Sequence, residues 1–492
     1  MSDPLEPVRT TAAIAAATTA AATTAATETP VEVVVQRPLP GPHREYRFPA
    51  FQRETLSNGM GLIRAHVPGR PLLVAQLLVR GEGSSGAAGE PPEQAGVTVL
   101  MARAMTEGTL RRDAVALIEA SERLGAELSA DAGWDTLATS VEVPRSRLAP
   151  ALSLLAEVAL EPGFPEDEVE RLREERINDL LQARADPRRR VERLFPELVF
   201  ADDVPYRRPL AGTEETVPGL DRATMVARHT ALMQPASSTL VVAGDLTGVA
   251  LRDEVEAVFG SWRGTNGAAV APAAASRGAA GPRIVVIDRP GAPQSELRVG
   301  HLGVPRLTPD FHALSVLNAI LGGLFNSRLN QLLRETRGYT YGINSSFDMR
   351  RGAGPFVVRC AVQTAVTVPA LLDIMAELKR IRDAAVSDEE LDTARHYLVG
   401  VFPLRFETAG QVAGAIGGLV AMGLPDDELD RYRPAIAAVT SRDALRVARE
   451  HIHPEEASVA IVGDADSFES ALRDAGLGDV SVVRGEDPAE ES

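Results

Sequence analysis

The chain has 492 residues, 45% of them apolar, so it is long enough for two to four domains with buried cores. Its 68 acidic residues outnumber its 51 basic ones, and the net charge of −17 argues against a nucleic-acid-binding protein, which needs a basic face. The single cysteine, Cys360, excludes an intrachain disulfide and a cysteine metal site, and no run of about 18 apolar residues predicts a membrane-spanning helix.

Residues 1–45 begin with an Ala/Thr-rich stretch that lacks the basic start and the Leu-rich core of a secretory signal. We therefore expect a disordered tail there. Without a recognisable signal, the cytoplasm is the default compartment, with the periplasm as the alternative.

The first dense pattern follows this tail. Asn58-Gly59 stands between alternating apolar residues and predicts a hairpin turn. Residues 95–109, "AGVTVLMARAMTEGT", read as an amphipathic helix closed by Gly108, and the helical period continues in "RRDAVALIEASERLGAEL". The remaining predicted elements are the strands "LLVAQLLVRG", "DTLATSVEVP" and "STLVVAGDL" and the helices at about 145–160 and 165–185.

Residues 264–282 are rich in Ala, Gly and Pro without periodicity, which is typical of a linker. The pattern then restarts with two strands in "RIVVIDRPGAPQSELRVGHLG", a helix in "FHALSVLNAILGG" and a strand in "GPFVVRCAVQTA". Two further helices are predicted near 366–383 and 387–400.

The two halves end alike, because "VARHTALMQPASSTLVVAGDL" corresponds to "VAREHIHPEEASVAIVGDA". This likeness indicates an internal duplication of units of about 210 residues. Hairpins and helix-separated strands occur together, which favours an α+β fold over a doubly wound sheet. The predicted organisation is a tail at 1–45, a first domain at 46–263, a linker at 264–282, a second domain at 283–478 and an acidic tail at 479–492.

This order of elements resembles the M16 metallopeptidases over roughly residues 46–478. The resemblance rests on "LSNG" in the first hairpin, a helix framed by Gly96 and Gly108-Thr109, and the duplicated "VVAGDL" strand. It implies two M16-type domains, each a mixed or antiparallel sheet packed with helices, that together form half of a clam-shell. The length is similar to that of two-domain members that assemble as dimers.

In active members this framed helix carries H-x-x-E-H. Positions i, i+3 and i+4 share one helix face, so two imidazoles hold one zinc ion and the glutamate activates its water. Counted from Gly96, these positions are Val99, Ala102 and Arg103, none of which is a zinc ligand. None of the eight histidines has H-x-x-E-H or H-x-x-x-H spacing, so we expect this chain to bind no zinc of its own.

Two further features of active members have candidate counterparts here. Their third ligand is a carboxylate some 70–80 residues after the helix, and Glu174, Glu175 and Asp179 remain the alternatives for that position. Their substrate-pairing edge strand often contains Asn-Ala, where this chain has Ser129-Ala130.

The second half resembles the family more strongly in "FNSRLNQLLRETRGYTYGINSSF". The resemblance implies that Arg334 holds substrate backbone and that Tyr341 steadies the oxyanion of the tetrahedral intermediate in a zinc-bearing domain. Gly338 between them is expected to end the helix. The alternative is that Arg334 is a surface charge and Tyr341 a packing residue.

The resulting hypothesis is a non-catalytic subunit of a heterodimeric zinc metalloendopeptidase. Its partner is an H-x-x-E-H-bearing homologue that carries the zinc, and the substrate is a peptide. The alternative is a proteolytically inactive M16-fold scaffold or peptide-binding protein, similar to the core subunits of the respiratory bc1 complex. An independent enzyme with another site is a third hypothesis, for which no residues can be named.

Overall fold

Two six-stranded sheets form the framework of the computed structural model, which describes residues 41, 44–69, 71–80, 86–264, 278 and 283–485. In the first half of the chain (46–263) the strands are β1 Phe51–Thr55, β2 Gly61–His66, β3 Leu72–Val79, β4 Glu127–Ala132, β5 Leu137–Pro144 and β6 Ser238–Gly244. In the second half (283–485) they are β7 Arg283–Asp288, β8 Gln294–Leu302, β9 Ile343–Phe347, β10 Pro355–Gln363, β11 Ser458–Gly463 and β12 Asp479–Val483.

The two sheets repeat one topology over five strands, β2-β6-β3-β5-β4 in the first and β7-β11-β8-β10-β9 in the second. The first pair in each series is parallel and the other pairs are antiparallel. This repetition confirms the predicted α+β fold with duplicated domains.

The sixth strands differ, because β1 precedes β2 in an antiparallel hairpin whereas β12 comes from the C-terminal end and lies parallel to β7. Residues 479–483 were assigned to an acidic tail from composition. They form a strand instead, because Val480 and Val482 both pack against the second core.

Fourteen α-helices occur in the described part of the chain. In the first half they are α1 Val97–Met105, α2 Ala114–Leu124, α3 Leu148–Leu160, α4 Glu166–Ala185, α5 Pro187–Val199, α6 Arg222–Leu232 and α7 Leu251–Phe259. In the second half they are α8 Phe311–Asn318, α9 Thr367–Asp383, α10 Asp388–Val401, α11 Ala409–Met422, α12 Glu428–Ala438, α13 Ser441–His451 and α14 Glu469–Asp474. Two π-helical segments, Ala319–Gly323 and Asn330–Thr336, lie between α8 and β9.

Helices α5 and α11 pack on the sheet of the opposite half. The apolar face of α5, which includes Val191 and Phe195, packs against residues of the second sheet such as Val357 and Val462. The apolar face of α11 packs in the same way on first-sheet residues, including Ile63, Val74 and Val241. Each sheet therefore buries its outer face under a helix from the other half.

Most residues of the predicted linker and of residues 1–45 lie outside the described residues. None of the helices in the described ranges combines the length and the apolar composition needed to cross a bilayer.

Candidate functional site

Helix α1 holds the positions that correspond to the zinc motif. It is shorter than predicted because it starts after Gly96, whose φ of 97° ends the preceding turn, and stops at Met105. The fully buried carboxylate of Glu90 accepts hydrogen bonds from the backbone N–H groups of Gly96, at 2.9 Å, and Thr98, at 2.6 Å. Glu90 thus satisfies the free amides at this helix N-terminus, a role that its sequence context did not reveal.

The side chains at the motif positions do not fit a zinc ion. Val99 is half-buried and Ala102 is buried, and neither carries a donor atom. Arg103 projects from the same helix face, and its terminal nitrogen lies 3.0 Å from Oε2 of Glu175 on α4. A guanidinium has no lone pair to offer a metal, and its charge repels a cation. The side chain at the last of the three motif positions is therefore held in an ion pair with α4.

The carboxylates of α4 differ in the side chains that they contact. Glu175 accepts hydrogen bonds from Arg103 and Arg171, and the Arg171 bond is the main cause of the lowered pKa of Glu175. Glu174, one residue earlier, is exposed like Glu175 but forms no ion pair with Arg103 of α1. The α4 face directed at α1 thus carries Glu175 rather than Glu174.

One turn further along α4, the Asp179 carboxylate forms ion pairs with two arginines. Its Oδ1 lies 2.8 Å from a terminal nitrogen of Arg189, and its Oδ2 contacts Arg176. Burial opposes ionisation of Asp179, but these arginines outweigh it and lower the pKa of the carboxyl. Asp179 also lines a cavity of about 140 Å³ together with the motif positions Val99 and Arg103. Of the three α4 carboxylates, Glu175 pairs with the motif arginine and Asp179 faces the space beside the motif.

A larger cavity lies at the corresponding place in the second half. Phe311, Leu314, Ser315 and Asn318 of α8 line it, in the same spacing as Gly96, Val99, Leu100 and Arg103 around the first cavity. Its volume is about 390 Å³. The duplication therefore extends to a cavity on the equivalent helix face, which the sequence did not indicate.

Strand β4 ends the first sheet, and within the described residues it pairs only with β5. Ser129 and Ala130 lie in the middle of this strand, and the Ser129 hydroxyl lies 2.8 Å from that of Ser140 on β5. The outer edge of β4 presents backbone N–H and C=O groups that an extended chain can pair with.

Arg334 belongs to the π-helical segment Asn330–Thr336, and its side chain is 35% exposed. Its Nε lies 3.4 Å from Oε1 of Glu335. Among the described residues, its terminal nitrogens make no hydrogen bond, so they are available to an external carbonyl oxygen.

Tyr341 follows a turn that Gly338 makes possible. Gly338 has a φ of 65°, and the N–H of Tyr339 donates to the Leu333 carbonyl at 2.9 Å, which closes the helix end as the sequence predicted. Tyr341 is 92% exposed and lies two residues before β9, the edge strand of the second sheet. A packing role for Tyr341, the alternative interpretation, does not agree with this exposure.

Other metal-binding chemistry is weak in the described residues. Asp310, Glu450 and His451 have donor atoms close enough to share an ion. Arg446 already bonds to Asp310 at 2.6 Å and to Glu450 at 2.7 Å, so a guanidinium occupies an oxygen of each carboxylate in this group. Cys360 is buried, and burial raises the pKa of its thiol to about 12, which makes it an inert core residue.

These features define a class of protein: a duplicated α+β fold with Val99, Ala102 and Arg103 at the motif positions of its first domain and a partly exposed Arg334 and an exposed Tyr341 in its second. A family model described as insulinase (peptidase family M16) matches residues 84–214, and one described as peptidase M16 inactive domain matches residues 219–398. The chain belongs to the M16 peptidase family.

Curated relatives align over most of their length. An uncharacterized zinc protease of Streptomyces coelicolor is 25% identical over 437 residues, which cover 88% of this chain and 94% of the relative. The non-peptidase homolog YmxG of Helicobacter pylori is 21% identical over 400 residues, which cover 80% of this chain and 89% of the relative. The relatives thus include proteins named as proteases and one named as a non-peptidase.

Solved structures share the fold. A peptidase M16 inactive domain from Pseudomonas fluorescens has a TM-score of 0.75 at 23% identity and covers 84% of this chain and 98% of its own. A protease from Helicobacter pylori has a TM-score of 0.77 at 17% identity, with coverage of 84% and 99%. At these identities the likeness establishes the architecture alone.

Proposed function

We propose that this chain is the zinc-free subunit of a heterodimeric M16 metalloendopeptidase. In this proposal an H-x-x-E-H homologue holds the zinc, and Arg334 and Tyr341 of this chain reach its site. The observation that carries the proposal is the difference between the paired arginine at the motif position and the open groups of Arg334 and Tyr341. The motif position Arg103 is neutralised by Glu175 at 3.0 Å, whereas Arg334 keeps terminal nitrogens without a partner in the described residues and Tyr341 is exposed.

Each exposed group suits a step of peptide hydrolysis. The planar guanidinium of Arg334 offers a fork of donors to substrate carbonyls. The phenol of Tyr341 offers one O–H to the oxygen on which negative charge develops, and such donors commonly contribute about a hundredfold in kcat. Neither group needs a metal on its own chain.

The test mixes this chain with an H-x-x-E-H homologue from the same genome and measures zinc content and cleavage of a quenched fluorescent peptide. We expect activity only in the mixture, with one zinc per heterodimer, and a large loss with Arg334→Ala or Tyr341→Phe. Arg337→Ala and Tyr339→Phe are matched controls on the same segment, since Arg337 is already paired with Asp373 at 3.0 Å and Tyr339 is half-buried.

Full activity of the Arg334→Ala and Tyr341→Phe heterodimers would contradict the proposal. The second candidate, a peptide-binding protein without proteolysis, is favoured by the unpaired outer edge of β4. It predicts that the chain alone binds an extended peptide and that no homologue restores cleavage.

A further inference from the structure

Arg334 lies over an exposed aromatic ring. Its guanidinium carbon is 4.4 Å from the centroid of the Phe325 ring, within the range of about 6 Å over which a cation is attracted to a ring face. Resting on the proposed function, we propose that Phe325 is a positioning residue: its ring holds the Arg334 guanidinium in place for a peptide carbonyl of the substrate.

The exposure of Phe325 fits this role. Its side chain is 65% exposed, and the ring belongs to none of the hydrophobic clusters in the described residues. A single exposed apolar side chain is ordinary on a protein surface. Here, however, the ring face is covered by a cation that the proposed function requires to be aimed, so the ring has a use that packing does not supply.

The backbone beneath the ring is fixed to the strand that follows Tyr341. The buried amide of Asn330 donates to the carbonyl of Leu324, at 3.2 Å, and to the carbonyl of Ile343, at 2.8 Å. One side chain therefore ties the residue before Phe325 to the first residue of β9. The Phe325 ring, the Arg334 guanidinium and the Tyr341 phenol therefore all extend from one segment, whose two ends Asn330 joins by hydrogen bonds.

The Glu335 carboxylate restricts the conformation of the Arg334 side chain from a second side. This carboxylate lies 3.4 Å from Nε, while the Phe325 ring lies against the guanidinium carbon, so the terminal nitrogens are the atoms left without a hydrogen bond in the described residues. A free arginine side chain has many rotamers, and each one removed in advance lowers the entropy lost when substrate binds. Loss of the ring is thus expected to weaken substrate positioning without removing the charge.

The experiment uses the heterodimer with its H-x-x-E-H partner and a quenched fluorescent peptide. We expect Phe325→Ala to lower kcat/KM about three- to tenfold, Phe325→Leu to do the same, and Phe325→Trp to retain activity, because only an aromatic face attracts the cation. Leu404→Ala, at a side chain of similar exposure (59%), is the control and should change nothing.

A double-mutant cycle separates positioning from general damage. If Phe325 acts through Arg334, Phe325→Ala has no further effect when Arg334 is already alanine. An equal loss in both backgrounds would overturn the inference. If Arg334→Ala itself leaves activity unchanged, the proposed function fails; if Arg334→Ala impairs activity and Phe325→Ala does not, only the positioning role fails.

A measurement on the free chain tests the stack without any partner. The Nε–H proton of Arg334 should show an upfield ring-current shift in NMR spectra, and Phe325→Leu should abolish it. An Nε–H signal of Arg334 that Phe325→Leu leaves unmoved would overturn the inference even where no active mixture has been found.

Discussion

Arg298 on β8 donates a hydrogen bond of 2.8 Å from Nε to the carboxylate of Glu192 on α5. The bond joins the two halves of the chain, because α5 belongs to the first half and β8 to the second. The Arg298 side chain is only 3% exposed, and its buried charge is compensated by this partner and by Glu296, at 3.1 Å. Helix α5 is therefore held on the second sheet by a charged contact as well as by its apolar face.

Replacing Glu192 should destabilise the fold. Glu192→Ala removes one partner of a buried guanidinium, and we expect a loss of about 1–3 kcal/mol in the free energy of unfolding, below the usual cost because Glu296 remains. Urea unfolding measures it. Glu119→Ala removes the exposed pair with Arg123 and should cost at most about 1 kcal/mol. Equal effects of the two changes would contradict the role given to Glu192.

Rebuilding the motif should create a zinc site. The triple change Val99→His, Ala102→Glu and Arg103→His places two imidazoles on one helix face and removes the repelling charge, so we expect about one zinc per chain. Metal analysis after dialysis measures the stoichiometry. Arg103→His alone is the control and should retain no zinc.

The rebuilt site also identifies the third ligand among the α4 carboxylates. Because Asp179 lines the cavity beside Val99 and Arg103, Asp179→Ala in the triple variant should weaken zinc binding more than Glu175→Ala. The reverse order would assign the position to Glu175, and no uptake by a folded triple variant would contradict the match of this cavity to a metal site.

Gly338→Ala should destabilise the chain. The φ of 65° is costly for a residue with a Cβ, so we expect a loss of about 1 kcal/mol in the free energy of unfolding. The added methyl meets no neighbour, so the effect is conformational. Gly342→Ala is the matched control, because Gly342 also has open space but no positive φ. Similar losses from both would contradict this explanation.

The pair of Arg328 and Glu390 should make stability fall in acid. The hydrogen bond from Arg328, at 2.6 Å, lowers the pKa of Glu390 to about 2, although burial opposes this. An unfolded glutamate has a pKa of about 4.3, so the ionised group stabilises the fold above that value and the contribution is lost as pH falls towards 2.

Unfolding measured between about pH 5 and about pH 2 tests this linkage. Glu390→Gln should be less stable than the original chain near pH 5, and the difference should shrink as pH falls. Glu389→Gln, at an exposed neighbour on α10, is the control. A difference that stays constant with pH would show that the pair does not supply the acid sensitivity.

The local elements were largely predictable because each is encoded by neighbouring residues. Asn58-Gly59 predicts a hairpin, and Gly59 adopts a φ of 89° there while the Asn58 side chain accepts from the N–H of Met60. The helix end at Gly338 was equally local. Boundaries were less reliable: α1 is shorter than 95–109, and residues 479–483 form β12 because packing outweighed acidic composition.

The candidate site was predictable only as far as residue types and spacing extend. Val99, Ala102 and Arg103 carry no metal donor whatever the fold. The ion pair from Arg103 to Glu175 joins residues 72 positions apart, and its geometry depends on how α1 and α4 pack. Phe325 and Asn330 were missed for the same reason, since a ring face and a buried amide are recognised only by what lies against them.

The sequence by itself determined the duplication, the α+β class and the lack of a zinc ligand at positions 99, 102 and 103, because these follow from repeats, periodicity and side-chain chemistry. Only the tertiary structure decided that α5 covers the second sheet and α11 the first. The apolar stripe of a helix predicts that this face is buried but does not identify the surface that covers it. The reason is that the hydrophobic effect depends on the area removed from water and has no direction. The choice of partner lies in chain geometry and in specific contacts such as that between Glu192 and Arg298.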